Sequence, residues 1–404
     1  MIIFLVVVVL RDNTQNCLIY VGWLVVFHII IMNIKLLLYP FYIIKMNISE
    51  KNYLESGYTG LTNLGNTCFL NSCVQILTHT LDLHKIFNNK AVLTRLETNN
   101  KMEESIILNE WKKLTELMWS GNGVVRPLKF VTSVQQVALK KNVEIFTGFA
   151  QNDVTEFLRF IVNCFHTSIA RPVKVSIKGK VKTNVDTMAL KCCDLLNEIY
   201  SKEYSEIYDL FYGICMTEIR SVNASALAPS QIHSQKPEHY FIIDLPIPVD
   251  LSTLEKSTIT LYDCFDLFVK EELMNGENQW FNEKTGKKED VIRRNYFWNF
   301  PKILVITLKR FLVNYRNISR INQLVDCPLT GLDLSNYVEG YDSGKYVYDL
   351  YGVSNHMGGP MGGHYTSYVK TEKEWVHFND DNLSKIGPES VITPMAYCLF
   401  YKIR

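Results

Sequence analysis

The apolar residues of this chain keep a helical period in its first third and a strand-like period afterwards, and that switch limits the folds open to it. Leu70, Val74, Leu77 and Leu81 recur at helical spacing, which predicts an amphipathic helix over 68–83 with Asn66 or Thr67 able to cap its start. Helical patterns continue over 103–119 and 151–166. Beyond about residue 205 the runs YFIIDLPIPV (240–249), KILVITLKRF (302–311), YVYDLYGVSNH (346–356), HYTSYVK (364–370), WVHF (375–378) and AYCLFYKI (396–403) are short, β-branched or aromatic, and bounded by turn residues. Helices followed by strands in one chain, without an internal repeat, predict an α+β fold.

A chain of 404 residues that is 47% apolar can bury a large core. Its 42 basic and 41 acidic residues nearly cancel, so no global nucleic-acid-binding surface is implied. The ten cysteines contain no CxxC pair and include the adjacent Cys192 and Cys193, a poor disulfide framework. Reduced thiols and a cytoplasmic location are expected, and a nuclear one is compatible with them.

Residues 1–52 form an apolar extension of different texture. The run over 17–32 is 16 residues long and contains His28, short of the roughly 18 to 20 that span a bilayer. No positive charge precedes the first apolar run, and no small-residue cleavage site follows it, so a signal peptide fits badly. Three readings stay open: a non-native leader with the working protein starting near Met46, a membrane anchor within residues 1–45, or a helix packed on the domain.

The chemistry is carried by two distant segments. In GNTCFLNSCVQIL, Cys68 stands at the first turn of the predicted helix, where the partial positive charge and free N–H groups of a helix N-terminus favour a thiolate. Asn63, five residues upstream, can offer its amide to a developing oxyanion. Nearly 300 residues later, NHMGGPMGGHYTSYVK places His364 after four glycines at the start of a strand, and WVHFNDDNL supplies a second strand ending at Asn379. A hairpin pairing 365–370 with 373–378 sets His364 opposite Asn379, whose side chain can hold the imidazole in one tautomer. A thiol, a base and an orienter are what Cys-His-Asn catalysis requires. His356, His377 and the other histidines lack such a partner and read as surface or structural residues.

From Tyr58 to Arg404 the chain resembles the ubiquitin-specific proteases, the papain-like deubiquitinases. GLTNLGNTCFLNSCVQIL is similar to that family's cysteine box, and GGHYTSYVK with WVHFNDDNL to its histidine box. GFAQNDVTEFL, YDLFYG, FIIDLPIP, KILVITLKRF, PLTGLDLSNYV and AYCLFYKIR agree in order. The resemblance implies a catalytic domain over 58–404 with fingers, palm and thumb, and ubiquitin and ubiquitinated proteins as partners. It also implies Cys68 as nucleophile, His364 as base, Asn379 as third member, Asp380 beside the triad and Asn63 in the oxyanion hole. Asp153 and Glu156, three apart on one helix face, would meet the basic tail of ubiquitin together with Gln151. Gly362, Gly363 and Tyr365 would line a channel narrow enough for the substrate's own Gly-Gly.

One departure from the family pattern bears on cofactors. Where many members carry two CxxC pairs for a structural zinc, this chain has only Cys215 in the first stretch, with Asn282 and Thr285 at the second. No metal is expected, and the fingers should hold together by strand pairing and apolar packing alone. A protease for a ubiquitin-like modifier would share every catalytic residue, whereas a ubiquitin-binding module without catalysis would not need the three together.

Overall fold

The computed structural model describes residues 57–99, 102–222, 231–248, 258–314, 317–359 and 362–404, together with two short strands, Val9–Arg11 and Asn16–Leu18, that pair antiparallel. The three readings of the N-terminal extension otherwise fall outside the described residues. Among those described, no helix is long and apolar enough to cross a membrane.

Helices Cys68–Thr78 (α1), Glu103–Trp119 (α2), Leu128–Lys140 (α3) and Val154–Ile169 (α4) form the helical part, and α1 and α2 both pack on α4 or its neighbours. α1 departs from its sequence reading in three ways. It stops at Thr78, because the chain turns through His79 and Thr80 before a second helix, Leu81–Phe87. Neither expected cap bonds its N-terminus: Thr67 Oγ1 instead accepts the Leu64 N–H at 2.9 Å, and Asn66 sits in the left-handed region at φ 55°. Finally, α1 is not amphipathic in its setting, since all eleven of its residues are buried between α4 and the main sheet. Its polar side chains are held by specific bonds. Ser72 Oγ lies 2.8 Å from Ser354 Oγ and donates to Thr366 O at 3.0 Å, while Gln75 Nε2 donates to Thr59 O at 2.7 Å. Buried polar groups without partners are costly, so these bonds fix the helix against one sheet position and with it the place of Cys68.

The main sheet is built from Ile242–Pro246 (β1), Ile303–Lys309 (β2), Val347–Gly359 (β3), Gly362–Lys370 (β4), Trp375–Asn379 (β5), Asn382–Ile386 (β6) and Ala396–Ile403 (β7). Their order across the sheet is β6-β5-β4-β3-β7-β2-β1, with only β1 and β2 parallel. One face packs on the helices through residues such as Ile303, Val305, Val369, Val376 and Phe400, and the other covers a second core containing Leu304, Ile306, Leu399 and Tyr401. The alternation of successive side chains between faces explains why the central strands Ile303–Lys309 and Ala396–Ile403 are apolar at almost every position.

The hairpin that carries the candidate base differs in register from its sequence reading. Lys370 pairs with Trp375 and Ser367 with Phe378, two positions longer than expected, because Thr371 and Glu374 close the turn. Glu374 N–H donates to Thr371 Oγ1 at 3.1 Å, which fixes that closure. A shift of two keeps every side chain on its face. Pairing of β4 with β5 ends at Ser367 and Phe378, so the strands diverge where His364 and Asn379 lie.

Strands Ile232–Tyr240, Gly213–Ser221, Val291–Asn299 and Glu272–Met274 make a separate four-stranded sheet, the fingers. Met188 and Cys192 of the helix Asn184–Tyr200 pack with Ile214, Met216, Tyr296 and Trp298 in a small core beside it. Charge also contributes, which corrects the expectation of apolar packing alone: Arg294 Nε donates to the buried Glu218 at 3.0 Å and Arg294 Nη1 to Glu339 at 2.9 Å. Removing Arg294 would leave the buried Glu218 carboxylate without its counter-charge, with Gln235 Nε2 still donating to it at 2.8 Å. Asn282 and Thr285, at the positions where thiolates are missing, both bond the Glu289 carboxylate, at 3.1 Å and 2.6 Å. They close the hairpin between Trp280–Asn282 and Lys287–Glu289.

Burial has a measurable consequence for acid stability. Desolvation pushes His79, His239 and His356 down to about 4 from an ordinary 6.5. The folded state keeps these rings neutral while the unfolded chain takes up their protons, so the stability they provide is complete above pH 6.5 and lost as pH falls toward 4. With roughly 1.4 kcal/mol per pH unit for each proton, the three together give a slope of up to roughly 4 kcal/mol per unit inside that window. Urea midpoints should change little above about pH 7 and fall steadily from there to pH 5, and a flat profile across that lower range would refute this origin.

Candidate active site

The site lies where the start of α1 meets the diverging ends of β4 and β5. Cys68 is the first residue of α1 and is only 4% exposed. Its thiol sits above the ordinary range, which reverses the expectation from helix position. Burial is the largest cause, and the Asp380 carboxylate adds to it, while backbone hydrogen bonding at Tyr365, Phe69 and Cys68 itself pulls the other way. Burial and the carboxylate thus work against a standing thiolate, and the backbone hydrogen bonds work for one.

The expected base lies on the strand next to the sulfur. Tyr365, whose backbone reaches the sulfur, directly follows His364 on β4. His364 Nε2 lies 2.7 Å from Asn379 Oδ1. With the amide oxygen accepting, the ring carries its proton on Nε2 and leaves Nδ1 as an acceptor. The two residues meet across the gap between the diverging strands and not as a directly opposite pair.

Asp380 takes a different role. At φ 52° it leaves the strand, and its carboxylate accepts from Asn63 Nδ2 at 3.0 Å and from Asn71 Nδ2 at 2.8 Å. Its backbone oxygen accepts from Leu61 N–H at 2.9 Å. Gly60 permits this approach, since a Cβ there would come within 2.5 Å of the Asp381 carbonyl oxygen. Asn63 is held at its other end too: Oδ1 accepts from the Gly65 and Thr67 N–H groups at 3.0 and 3.1 Å. One N–H of its amide is committed to Asp380, and the other is free to serve an oxyanion. Asn71 is a member of this cluster that the sequence reading missed. Its only signal was a polar residue on a helix face that proves wholly buried.

The expected substrate-facing residues separate. Asp153 is the N-cap of α4 rather than a member of its exposed face. Its Oδ1 accepts from Thr155 N–H at 2.7 Å, and its Oδ2 from the hydroxyls of Tyr365 and Tyr397 at 3.1 and 2.8 Å. It ties α4 to β4 and β7, so it positions the strand that carries His364. Glu156 remains exposed. Gln151 is exposed and its Oε1 accepts the Gly363 N–H at 2.8 Å. Tyr365 is buried, and it serves the site through its backbone. His356 is buried as a structural residue, accepting at Nδ1 from Arg320 at 2.7 Å. A small cleft walled by Phe69, Val131, Val134 and Phe146 flanks the loop ahead of Cys68. No cluster of His, Cys, Asp or Glu able to hold a metal is present among the described residues.

A helix-borne thiol set against a sheet that carries a histidine is the arrangement of the papain-like cysteine proteases, and the helical and sheet parts with their fingers extension narrow it further. The chain belongs to the ubiquitin carboxyl-terminal hydrolase family, whose sequence profile matches residues 59–401, and within it to the ubiquitin-specific proteases. It is 32% identical to ubiquitin carboxyl-terminal hydrolase 2 of Bos taurus over 356 residues, 86% of this chain and 55% of that one. With ubiquitin carboxyl-terminal hydrolase 21 of Homo sapiens it shares 27% over 381 residues, 90% of this chain and 65% of that one. The chain thus spans little more than half the length of the first of these relatives. Its fold matches the SAGA Ubp8/Sgf11/Sus1/Sgf73 deubiquitinase module bound to ubiquitin aldehyde at a TM-score of 0.62, 23% identity, covering 95% of this chain and 77% of that one.

Proposed function

We propose that this protein is a deubiquitinating thiol protease that hydrolyses the bond after the C-terminal glycine of ubiquitin in ubiquitin-protein conjugates. The observation that carries the reading is the 2.7 Å bond between His364 Nε2 and Asn379 Oδ1 beside a thiol held at a helix start. In the proposed cycle His364 Nδ1 takes the Cys68 proton as the sulfur attacks the carbonyl carbon. The free N–H of Asn63 and backbone N–H groups at the start of α1 stabilise the oxyanion. The departing lysine amine receives the proton from His364, and water, activated by the same imidazole, hydrolyses the thioester. A thiol held above its ordinary range by burial suits this route, because the proton passed to the leaving amine then comes from the nucleophile itself. Nine free cysteines among the described residues support a reducing compartment such as the cytoplasm.

Ubiquitin bearing a C-terminal electrophile is expected to label Cys68 stoichiometrically, with no adduct on the Cys68→Ala variant. Exclusive labelling by an electrophile built on a ubiquitin-like modifier would reassign the substrate, and labelling at another cysteine would overturn the mechanism.

A further inference from the structure

On β4 the N–H groups of Gly363 and Tyr365 lie two residues apart, on the stretch that β5 has left unpaired. Alternate N–H groups along a strand point the same way, so both face the open edge. The Tyr365 backbone is engaged by the Cys68 sulfur, and the Gly363 N–H by the side-chain oxygen of Gln151 at 2.8 Å. Gln151 also reaches the other wall of the site: its Nε2 donates to Asn66 Oδ1 at 3.4 Å, and Asn66 Nδ2 donates to Phe149 O at 2.8 Å. One glutamine therefore spans from the loop of the nucleophile to the strand of the base. Gly362 lets it lie there, since a Cβ at that position would stand 2.4 Å from Gln151 Oε1.

An unpaired strand edge is a template for an extended peptide, whose carbonyls would accept from the same N–H groups. We propose that Gln151 is a latch that occupies the place of a substrate carbonyl on Gly363 and keeps the cleft closed until an extended peptide displaces it. This rests on the reading of Cys68 as the nucleophile. It gives Gln151 a role opposite in sign to that of a residue which only grips the substrate. A latch competes with the incoming chain, and its loss exposes the sulfur.

Its test reads the sulfur directly, with the full chain and a small neutral alkylator. The rate constant for iodoacetamide modification of Cys68, followed by peptide mass spectrometry, should rise about two- to tenfold in Gln151→Ala, the range set by one exposed hydrogen bond. Gln151→Glu keeps an acceptor for the Gly363 N–H but loses the donor to Asn66 Oδ1, so its rate should fall between wild type and Gln151→Ala. The ubiquitin electrophile should also label Gln151→Ala faster than wild type. Unchanged alkylation in Gln151→Ala, or slower labelling by the ubiquitin electrophile, would overturn the latch. The alkylation arm involves no ubiquitin, so a failure of the proposed function, seen as no ubiquitin adduct on the wild type, is distinguishable from a failure of the latch.

Discussion

Replacing Cys68 with alanine should lower turnover of ubiquitin conjugates by on the order of 10⁶-fold, the scale of losing a covalent nucleophile from a coupled triad. Affinity for ubiquitin should hold within about threefold, because the change removes one sulfur atom from a residue that is 4% exposed and leaves α1 packed on every side. No second thiol can take over. Cys73, five residues further along α1, is fully buried, and burial pushes its thiol far above the ordinary range. The two measurements are multiple-turnover hydrolysis of a ubiquitin C-terminal fluorogenic substrate and equilibrium binding of free ubiquitin. Turnover within about a hundredfold of wild type would remove Cys68 from the mechanism. Lost binding with lost turnover would instead show that α1 had shifted. The pH dependence follows from the same surroundings. Burial and Asp380 hold the resting thiol high, so removing the carboxylate in Asp380→Asn should shift Cys68 alkylation to lower pH.

How much of this was legible before the structure depends on whether a residue's partners lie near it in sequence. The runs that become β2, β3, β4, β5 and β7 could be read because a sheet covered on both faces needs apolar residues at successive positions. Cys68 could be placed at a helix start and His364 and Asn379 on neighbouring strands, but the register that would set the two opposite each other is off by two, because the turn at Thr371 and Glu374 was not legible. The strand Ile232–Tyr240 (IHSQKPEHY) could not, because its residues are exposed or half-buried and show no apolar pattern. Asn184–Tyr200 was missed although Thr183 and Asp186 form a capping box there. Arg310, the penultimate residue of KILVITLKRF, reads as part of the wet end of a strand. It is instead fully buried and donates to the carbonyls of Ala396, Ile321 and Gln323. The same limit explains the two electrostatic corrections. Asp380 raises the Cys68 thiol from 312 positions away in sequence, and the tyrosines that turn Asp153 inward come from β4 and β7. Neither has a signal in the window that contains the residue it controls.

Asn379 and Asp380 are adjacent in sequence, and their variants should differ in size and in kind. Asn379 touches the imidazole, so Asn379→Ala frees the ring to adopt the wrong tautomer and should lower kcat by about 10³- to 10⁴-fold, as expected for the orienting member of such a triad. Asp380 does not bond His364 in this structure. It holds the Asn63 amide and Asn71, so Asp380→Ala misplaces an oxyanion donor without deleting it. Complete loss of such a donor costs on the order of 10²- to 10³-fold, and misplacement should cost no more. Part of that cost is returned, because the same substitution removes the charge that raises the thiol. Asp380→Asn keeps an oxygen for one of the two amides and should fall between wild type and Asp380→Ala. Asn63→Ala deletes the donor and should cost at least as much in kcat as Asp380→Ala, and the two changes combined should cost little more than Asn63→Ala alone, since both act through one hydrogen bond. Steady-state kinetics on these variants decide the division. A loss in Asp380→Ala that exceeds the loss in Asn379→Ala would mean that the carboxylate moves onto the imidazole during turnover. The hydrogen bond from Asn63 to Asp380 would then belong to the resting enzyme alone.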